Sequence, residues 1–195
     1  MIPQTGTNGR KWQRKRWENG TTDILKGTMN LLHYSPKVLT LDALESRTQN
    51  TEPSVYEKPK GFWVSVEGED DWASWCKAED FGIAPLAHLV KTSPDANLLT
   101  LNSSADIRDF TLTFGKQGRF SELRLEIDWR KVAEQFQGIV IAPYQWSCRL
   151  APETSWYYIW DCASGCIWDC SAIEGIERVP ELDPLPLVIS TVKGM

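Results

Sequence analysis

The sequence lacks the features that place a chain in a membrane or send it across one. No apolar run approaches the roughly 18 residues that span a bilayer, and no apolar stretch follows the N-terminal basic residues, as a secretory signal would require. The five cysteines are an odd number. Without a secretion signal, they indicate reduced thiols rather than a disulfide framework. These absences predict a cytoplasmic protein that makes no membrane contact.

Residues for two kinds of catalysis are also scarce. His33 and His88 are the only histidines, so a metal site rich in imidazole is excluded. Cys76 or Cys148 could pair with His33 as a nucleophile, but no spacing supports either pair. The chain has no phosphate-cradling glycine loop of the P-loop or dinucleotide type, which argues against a kinase or a standard dehydrogenase.

The composition that remains is that of one soluble domain with a sizeable core. The chain has 195 residues, of which 42% are hydrophobic and 24% charged. Residues 1–28 carry six basic and two acidic side chains, a net charge of +4, so residues 29–195 carry −9 of the total of −5. An acidic body argues against broad contact with nucleic-acid phosphates, which need many Lys and Arg on one surface.

The two charge regions also suggest the domain organisation. Residues 1–28 mix Gly, Thr, Asn and basic residues without periodicity, which predicts a basic, flexible N-terminal extension. We expect it to be dispensable, with Met29 as the natural first residue and 29–195 as a single domain. The alternative is a basic arm in which Trp12 and Trp17 contact a nucleic acid or an acidic partner.

Short strands and few helices are predicted along residues 29–195, which indicates an α+β fold. Strands are expected over 30–35, 61–66, 110–114, 123–127 and 139–141. Helices are expected over 72–79, after Asp70 or Asp71, and 129–136, after Asp128, with a helical turn within 39–46. Gly138 is expected as the left-handed residue that ends the second helix. Turns are expected at 93–97 and 115–118 and a loop over 47–60, whereas 85–90 fits a strand or a helical turn.

The C-terminal third is predicted to contain a hairpin. Residues 156–160 and 167–170 are rich in aromatic residues and flank Ala163-Ser164-Gly165, which contains a Ser-Gly turn signal. Cys162, Cys166 and Cys170 would share one face of a helix, but a hairpin does not gather them into a metal cage. Residues 187–189 are expected to form an edge strand.

Ten tryptophans are present, and most are expected in the core. Trp63 on a strand and Trp72 and Trp75 on the next helix could instead line a groove close to His33. Such aromatic walls hold a flat heterocycle by stacking.

One resemblance to a known family rests on three short motifs. Leu31-Leu32-His33-Tyr34-Ser35-Pro36 is followed, after a variable loop, by Lys60-Gly61-Phe62-Trp63-Val64-Ser65 and an aromatic-rich helix. This order resembles the start of the ADP-ribosyltransferase superfamily, and 127–141 with 156–160 looks like its second half. The resemblance covers about 30–175 and implies a split antiparallel sheet. It extends to small phage-encoded or bacterial members that act as mono-ADP-ribosyltransferases.

The resemblance implies a role for each matching residue. His33 would bond the adenine-side ribose of NAD, the Tyr34 backbone would lie near the nicotinamide amide, and Ser35 would support the strand end. Trp63, Trp72 or Trp75 would stack on nicotinamide, and Ser65 would buttress the pocket. The family's acidic residue is not matched, because no acid lies between Gly138 and Ala151; Gln145 is the first candidate, with Asp161 and Glu153 in reserve.

The resulting expectation is an NAD-dependent mono-ADP-ribosyltransferase-like effector that transfers ADP-ribose to a host protein or nucleic acid, in the host cytoplasm if phage-encoded. NAD would be consumed as a substrate, and no metal is expected. The alternatives are a catalytically inactive module of phage origin that binds a nucleotide or a protein, and an accessory protein that oligomerises through exposed tryptophans.

Overall fold

A computed structural model describes residues 29–49, 58–118 and 125–184, and it shows a mixed α+β fold. The strands are β1 (Leu31–Ser35), β2 (Phe62–Val66), β3 (Leu86–Thr92), β4 (Leu98–Leu101), β5 (Gly115–Gln117), β6 (Leu125–Ile127), β7 (Gly138–Ile141), β8 (Ser164–Ile167) and β9 (Ile173–Arg178). The α-helices are α1 (Trp72–Ala78), α2 (Ser104–Phe114), α3 (Trp129–Ala133) and α4 (Trp146–Arg149). Segments of 3₁₀ helix cover Leu41–Ala43, Pro152–Ile159, Cys170–Ala172 and Pro180–Leu182, and Pro152–Ile159 is interrupted by a kink at Thr154.

Seven of the strands form one open sheet in the order β4-β7-β8-β2-β1-β3-β9, and β5 pairs with β6 separately. Within the large sheet, β4 and β7 are parallel and the other neighbours are antiparallel. The α+β expectation is therefore confirmed. The centre of this sheet brings together β8, β2 and β1, which are far apart in sequence.

The pairing of β1 with β2 is short. It covers only two residue pairs, Leu31 with Val66 and Leu32 with Ser65, whereas β1 and β3 pair over five. Beyond Leu32 the two strands are joined by a side chain, because His33 Nδ1 donates to the carbonyl of Trp63 at 2.7 Å. The main-chain pairing of β1 with β2 therefore ends at Leu32 and Ser65, and a side-chain hydrogen bond continues the contact.

The core lies between the sheet and the helical segments. Leu99, Ile139 and Ile141 of adjacent strands are completely buried, and they belong to the same hydrophobic cluster as Ile107 and Phe110 of α2. Gly165 of β8 permits the close approach of its neighbours. A Cβ atom there would lie 2.7 Å from the carbonyl oxygen of Ile139 and within 3.2 Å of side-chain atoms of Val140 and Val64.

Several local predictions are confirmed by capping geometry. Asp71 is the N-cap residue of α1, and its side chain accepts a hydrogen bond from the backbone nitrogen of Ser74 at 2.7 Å. Asp128 begins α3, which ends at Ala133 rather than at residue 136. A carboxylate at these positions satisfies backbone N–H groups of the first turn, which have no partner inside the helix.

The predicted strand over 110–114 and the turn over 115–118 are wrong. Residues 104–114 form α2, which begins after Ser103, whose hydroxyl accepts from the backbone nitrogen of Asp106 at 3.2 Å. The alternating pattern over 110–114 misled because it also fits a helix, in which Ile107, Phe110, Thr111 and Phe114 share the buried face. Gly115–Gln117 then pairs with Leu125–Ile127 as a strand.

The predicted hairpin in the C-terminal third is also wrong. Trp156 lies in the 3₁₀ segment Pro152–Ile159, where its indole donates to Thr111 Oγ1 at 2.7 Å. Ser164 and Gly165, expected in the turn, instead belong to β8, which pairs with β2 and β7. Long-range pairing thus overrides the local turn signal.

Gly138 is not the left-handed end of a helix, since it begins β7. A Cβ atom at this position would lie 2.8 Å from Leu98 Cδ2 and 2.9 Å from the carbonyl oxygen of Cys166, so glycine is needed for packing between strands. The strand alternative for 85–90 is correct, and β4 and β9 were not foreseen. The predictions for 1–28, 187–189 and most of 47–60 fall outside the described residues, as do residues 123 and 124.

None of the helices in the described ranges is both long enough and apolar enough to cross a membrane.

Candidate functional site

A cavity of about 360 Å³ opens beside the place where β1 and β2 part. Its walls come from β1, β2, the first residue of α1, Lys58, and the segment that leads into β8. The volume lies near the lower end of the roughly 300–1,000 Å³ range of ligand sites, and the walls are mostly apolar with a few polar groups. The cavity is therefore of a size suited to one heterocycle with its sugar. The lining residues are Leu32, His33, Tyr34, Lys58, Trp63, Val64, Ser65, Trp72, Asp161, Cys162 and Ser164.

His33 is fixed on the β1 side of the cavity by two contacts. Its Nδ1 donates to the Trp63 carbonyl, and its ring stacks on Phe62 with centroids 4.2 Å apart. Burial lowers the pKa of His33, and the nearby His88 lowers it further against the opposing effect of the Trp63 carbonyl. The imidazole is consequently neutral at pH 7, and Nε2 is its accepting nitrogen.

The aromatic walls come from β2 and α1. Trp63 is half-buried and packs against the buried Trp160 at 5.1 Å. Trp72 lines the cavity and stacks on Trp75, with centroids 5.0 Å apart and planes 15° apart. The hydroxyl of Ser65 accepts from the backbone nitrogen of Trp72 at 2.9 Å, so β2 holds the first turn of α1 against the cavity.

Asp161 supplies a carboxylate to the cavity. Its Oδ2 lies 3.3 Å from Lys58 Nζ, and its Oδ1 lies 3.5 Å from Arg149 Nη2. Arg149 is held in turn by the Tyr144 hydroxyl, which accepts from Nη1 at 2.8 Å, and by the Tyr158 ring, 5.5 Å from Cζ. The carboxylate is thus oriented by two cations, one of which is itself fixed by aromatic neighbours.

Six of the predicted site residues line this single cavity: His33, Tyr34, Trp63, Ser65, Trp72 and Asp161. Burial, with the nearby carboxylates of Asp71 and Glu67, raises the pKa of Tyr34 to about 12, so its phenol remains protonated at pH 7. Ser35 and Trp75 are adjacent but not among the lining residues. The Ser35 hydroxyl donates to the Lys37 carbonyl, and Trp75 contacts Trp72 and Phe81.

Gln145 is not brought to the cavity. It precedes α4, and its Nε2 donates to the carbonyls of Pro143 at 2.9 Å and Asn102 at 3.3 Å. Glu153 is also absent from the lining and pairs with Arg108 at 3.5 Å. Of the three candidates for the acidic position, only Asp161 reaches the cavity.

The cavity contains one thiol, that of Cys162. Burial raises its pKa to about 11, against the opposing effect of the Ser164 side chain. The thiol form is therefore dominant at pH 7, which makes Cys162 a weak nucleophile. Within the described ranges, no group of three His, Cys, Asp or Glu side chains could hold a metal ion.

Sequence reasoning missed Lys58, Ser164 and Arg149. Lys58 lies in a segment predicted only as a loop, and its ammonium is 5.4 Å from the Trp63 ring centroid. Ser164 belongs to a predicted turn, but the structure places it in β8. Arg149 reaches Asp161 from α4, and no sequence spacing connects the two, because their proximity depends on the fold between residues 150 and 160.

Comparison of the chain with protein-family models, with curated proteins and with solved structures finds no match.

Proposed function

We propose that the protein is an NAD-dependent mono-ADP-ribosyltransferase-like effector, in which this cavity receives the nicotinamide and its ribose. The observation that carries the proposal is the convergence of His33, Trp63 and Asp161 on one cavity. The motifs that resemble the ADP-ribosyltransferase superfamily supply two of these residues.

The walls suit a nicotinamide riboside. Trp63 and Trp72 offer aromatic surface for stacking of the heterocycle. The neutral imidazole of His33 and the hydroxyl of Ser164 are polar groups able to bond ribose hydroxyls or the amide. Lys58 adds a cation at the wall, which suits the negative charge of the pyrophosphate.

The reaction would replace nicotinamide on the ribose with an acceptor group of the target. The bond between the ribose carbon and the nicotinamide nitrogen breaks with its electron pair leaving on nitrogen. The acceptor then bonds to the same carbon and loses its proton to solvent. Positive charge develops on the ribose as the bond breaks, and among the described lining residues the Asp161 carboxylate is the group able to stabilise it.

The two cations on Asp161 favour a second candidate function, a catalytically inactive nucleotide-binding module. Lys58 and Arg149 partly neutralise the carboxylate, so less negative charge is available to a developing cation. In this case the same walls would bind a nucleotide, and no bond would break.

One experiment separates the two functions. The purified full-length chain is incubated with NAD labelled on the adenine ring, with and without bacterial lysate, and both nicotinamide release and label transfer are measured. A transferase releases nicotinamide and labels a macromolecule, and a His33→Ala variant does so less well. Saturable NAD binding without release supports the binding module, whereas absence of both binding and release rejects the proposal.

A further inference from the structure

An aromatic cluster lies at α1, next to the cavity. Trp72, Trp75 and Phe81 form a cluster at α1, in which Phe81 packs against both indoles with centroids 5.8 and 5.5 Å away. Phe81 is 51% exposed, and the two indoles are partly exposed. Trp72 belongs both to this cluster and to the cavity. An aromatic surface is therefore continuous with the candidate site.

The same segment carries a strong excess of negative charge. Residues 67–81 contain six carboxylates and one lysine, Lys77. Asp71 is used as the helix cap, and Glu67 accepts from Asn30. Glu69, Glu79 and Asp80 are exposed, and none of the three takes part in an ion pair within the described part of the chain. We call Trp72, Trp75, Phe81, Glu69, Glu79 and Asp80 the acidic aromatic face.

A fourth ring borders this face. Trp146 at the start of α4 is 61% exposed, and its indole donates to Asp70 at 3.2 Å. Asp70 is held in place as well, because its carbonyl accepts from the backbone nitrogen of Ala163 at 2.7 Å. Trp146 is thus hydrogen-bonded to the acidic segment that precedes α1.

We propose that the acidic aromatic face binds an arginine- or lysine-rich segment of a second protein. The charge complementarity defines the partner. Exposed carboxylates that have no cationic partner among the described residues attract cations, and partly exposed indole rings bind guanidinium groups through cation–π contact. Nucleic acid is disfavoured here, because its phosphates would meet the carboxylates. The inference deepens the proposed function by naming the class of target protein held next to the cavity. The interpretation of the bound protein as a transferase target rests on that function, whereas the binding itself does not.

Binding is tested without NAD, so that this proposal and the transferase proposal fail independently. A fluorescently labelled oligo-arginine peptide is titrated into the full-length protein and followed by anisotropy. Oligo-lysine, oligo-glutamate and single-stranded DNA serve as comparison probes. We expect saturable binding of the cationic peptides, tighter for arginine, that weakens as salt is raised.

The variants locate the binding. Glu69→Lys with Glu79→Lys is expected to weaken peptide binding at least tenfold, and Phe81→Ala about two- to fivefold, the loss expected for one exposed cation–π contact. Asp95→Lys with Glu181→Lys makes the same change in net charge at exposed positions elsewhere and is the matched control. Equal losses in both double variants would show a nonspecific charge effect and overturn the proposal.

Three other results overturn it. The first is tighter binding of DNA than of the cationic peptides. The second is the absence of cationic peptide binding both in the wild-type chain and in a variant in which Arg14, Lys15 and Arg16 are replaced by Ser. The third is peptide binding in that variant alone, because the chain's own basic segment would then be the occupant of the face rather than a second protein.

Discussion

Asp161→Asn removes one negative charge from the cavity while keeping the shape of the side chain. In the proposed reaction, this carboxylate stabilises the positive charge that develops on the ribose. Loss of one preorganised electrostatic group typically costs about 10²–10³-fold in kcat. Because Lys58 and Arg149, at 3.3 and 3.5 Å, already neutralise part of the charge, we expect the lower end, about 100-fold or roughly 2.7 kcal/mol.

The substitution is expected to leave the protein folded. The Asp161 side chain is 26% exposed, and those of Lys58 and Arg149 are 39% and 25% exposed, so solvent screens both ion pairs. Such pairs contribute at most about 1 kcal/mol each. Because Asp161 makes both pairs, the substitution costs at most about 2 kcal/mol, which lowers Tm by at most roughly 4–8 °C in a chain of this length. A thermal melt can verify this before the kinetic assay.

The assay is nicotinamide release from NAD, measured as kcat and KM for both proteins. The matched control is Gln145→Ala, because Gln145 bonds Pro143 and Asn102 and does not line the cavity. We expect kcat to fall for Asp161→Asn with little change in KM, and neither to change for Gln145→Ala. Full activity of Asp161→Asn, or the same loss in both variants, would refute the assignment of the carboxylate.

Three further predictions follow from individual residues. His33→Ala should weaken NAD binding about tenfold in calorimetry, since it removes a polar wall group and the stack on Phe62; unchanged affinity would remove His33 from the site. The pKa of His33 is lowered below its ordinary value of 6.5 by burial. The folded state therefore binds a proton at His33 less tightly than the unfolded state does. The contribution of neutral His33 to the free energy of unfolding is complete above pH 6.5 and is lost as the pH falls through the lowered pKa. Urea midpoints of the wild-type chain should fall with pH in this window more steeply than those of His33→Gln, and parallel curves would contradict this origin. Gly165→Ala should lower the free energy of unfolding by about 1–3 kcal/mol through overcrowding against Ile139 and Val140, and an unchanged denaturation midpoint would contradict that packing.

Several local structures near the cavity can be predicted from the sequence. Pro36 follows β1, Asp71 caps α1, and the aromatic and β-branched residues of 62–66 favour a strand, because each of these effects acts within a few residues. The same local patterns placed His33, Trp63 and Trp72 on adjacent elements. Those residues could therefore be named as cavity candidates before the strands were paired.

Local patterns failed where a segment fits two structures equally well. Phe110 and Phe114 lie on one face of a helix as well as on one face of a strand, and the cap at Ser103 together with burial of the helix face decides for the helix. The Ser-Gly pair at 164 and 165 carries a turn signal, yet Gly165 serves to let β8 approach Ile139 and Val64. Sequence distance contains no information about such contacts.

The sequence by itself determined an acidic, tryptophan-rich α+β fold with a histidine on its first strand. The tertiary structure alone decided which candidate for the acidic position lines the cavity beside that histidine. Asp161, and not Gln145, lines it, because β8 pairs with β2 and brings residues 161–164 beside Trp63. Burial of side chains from distant segments selects that pairing. The free energy of such long-range burial does not produce a periodic pattern in the sequence from which the pairing could be predicted.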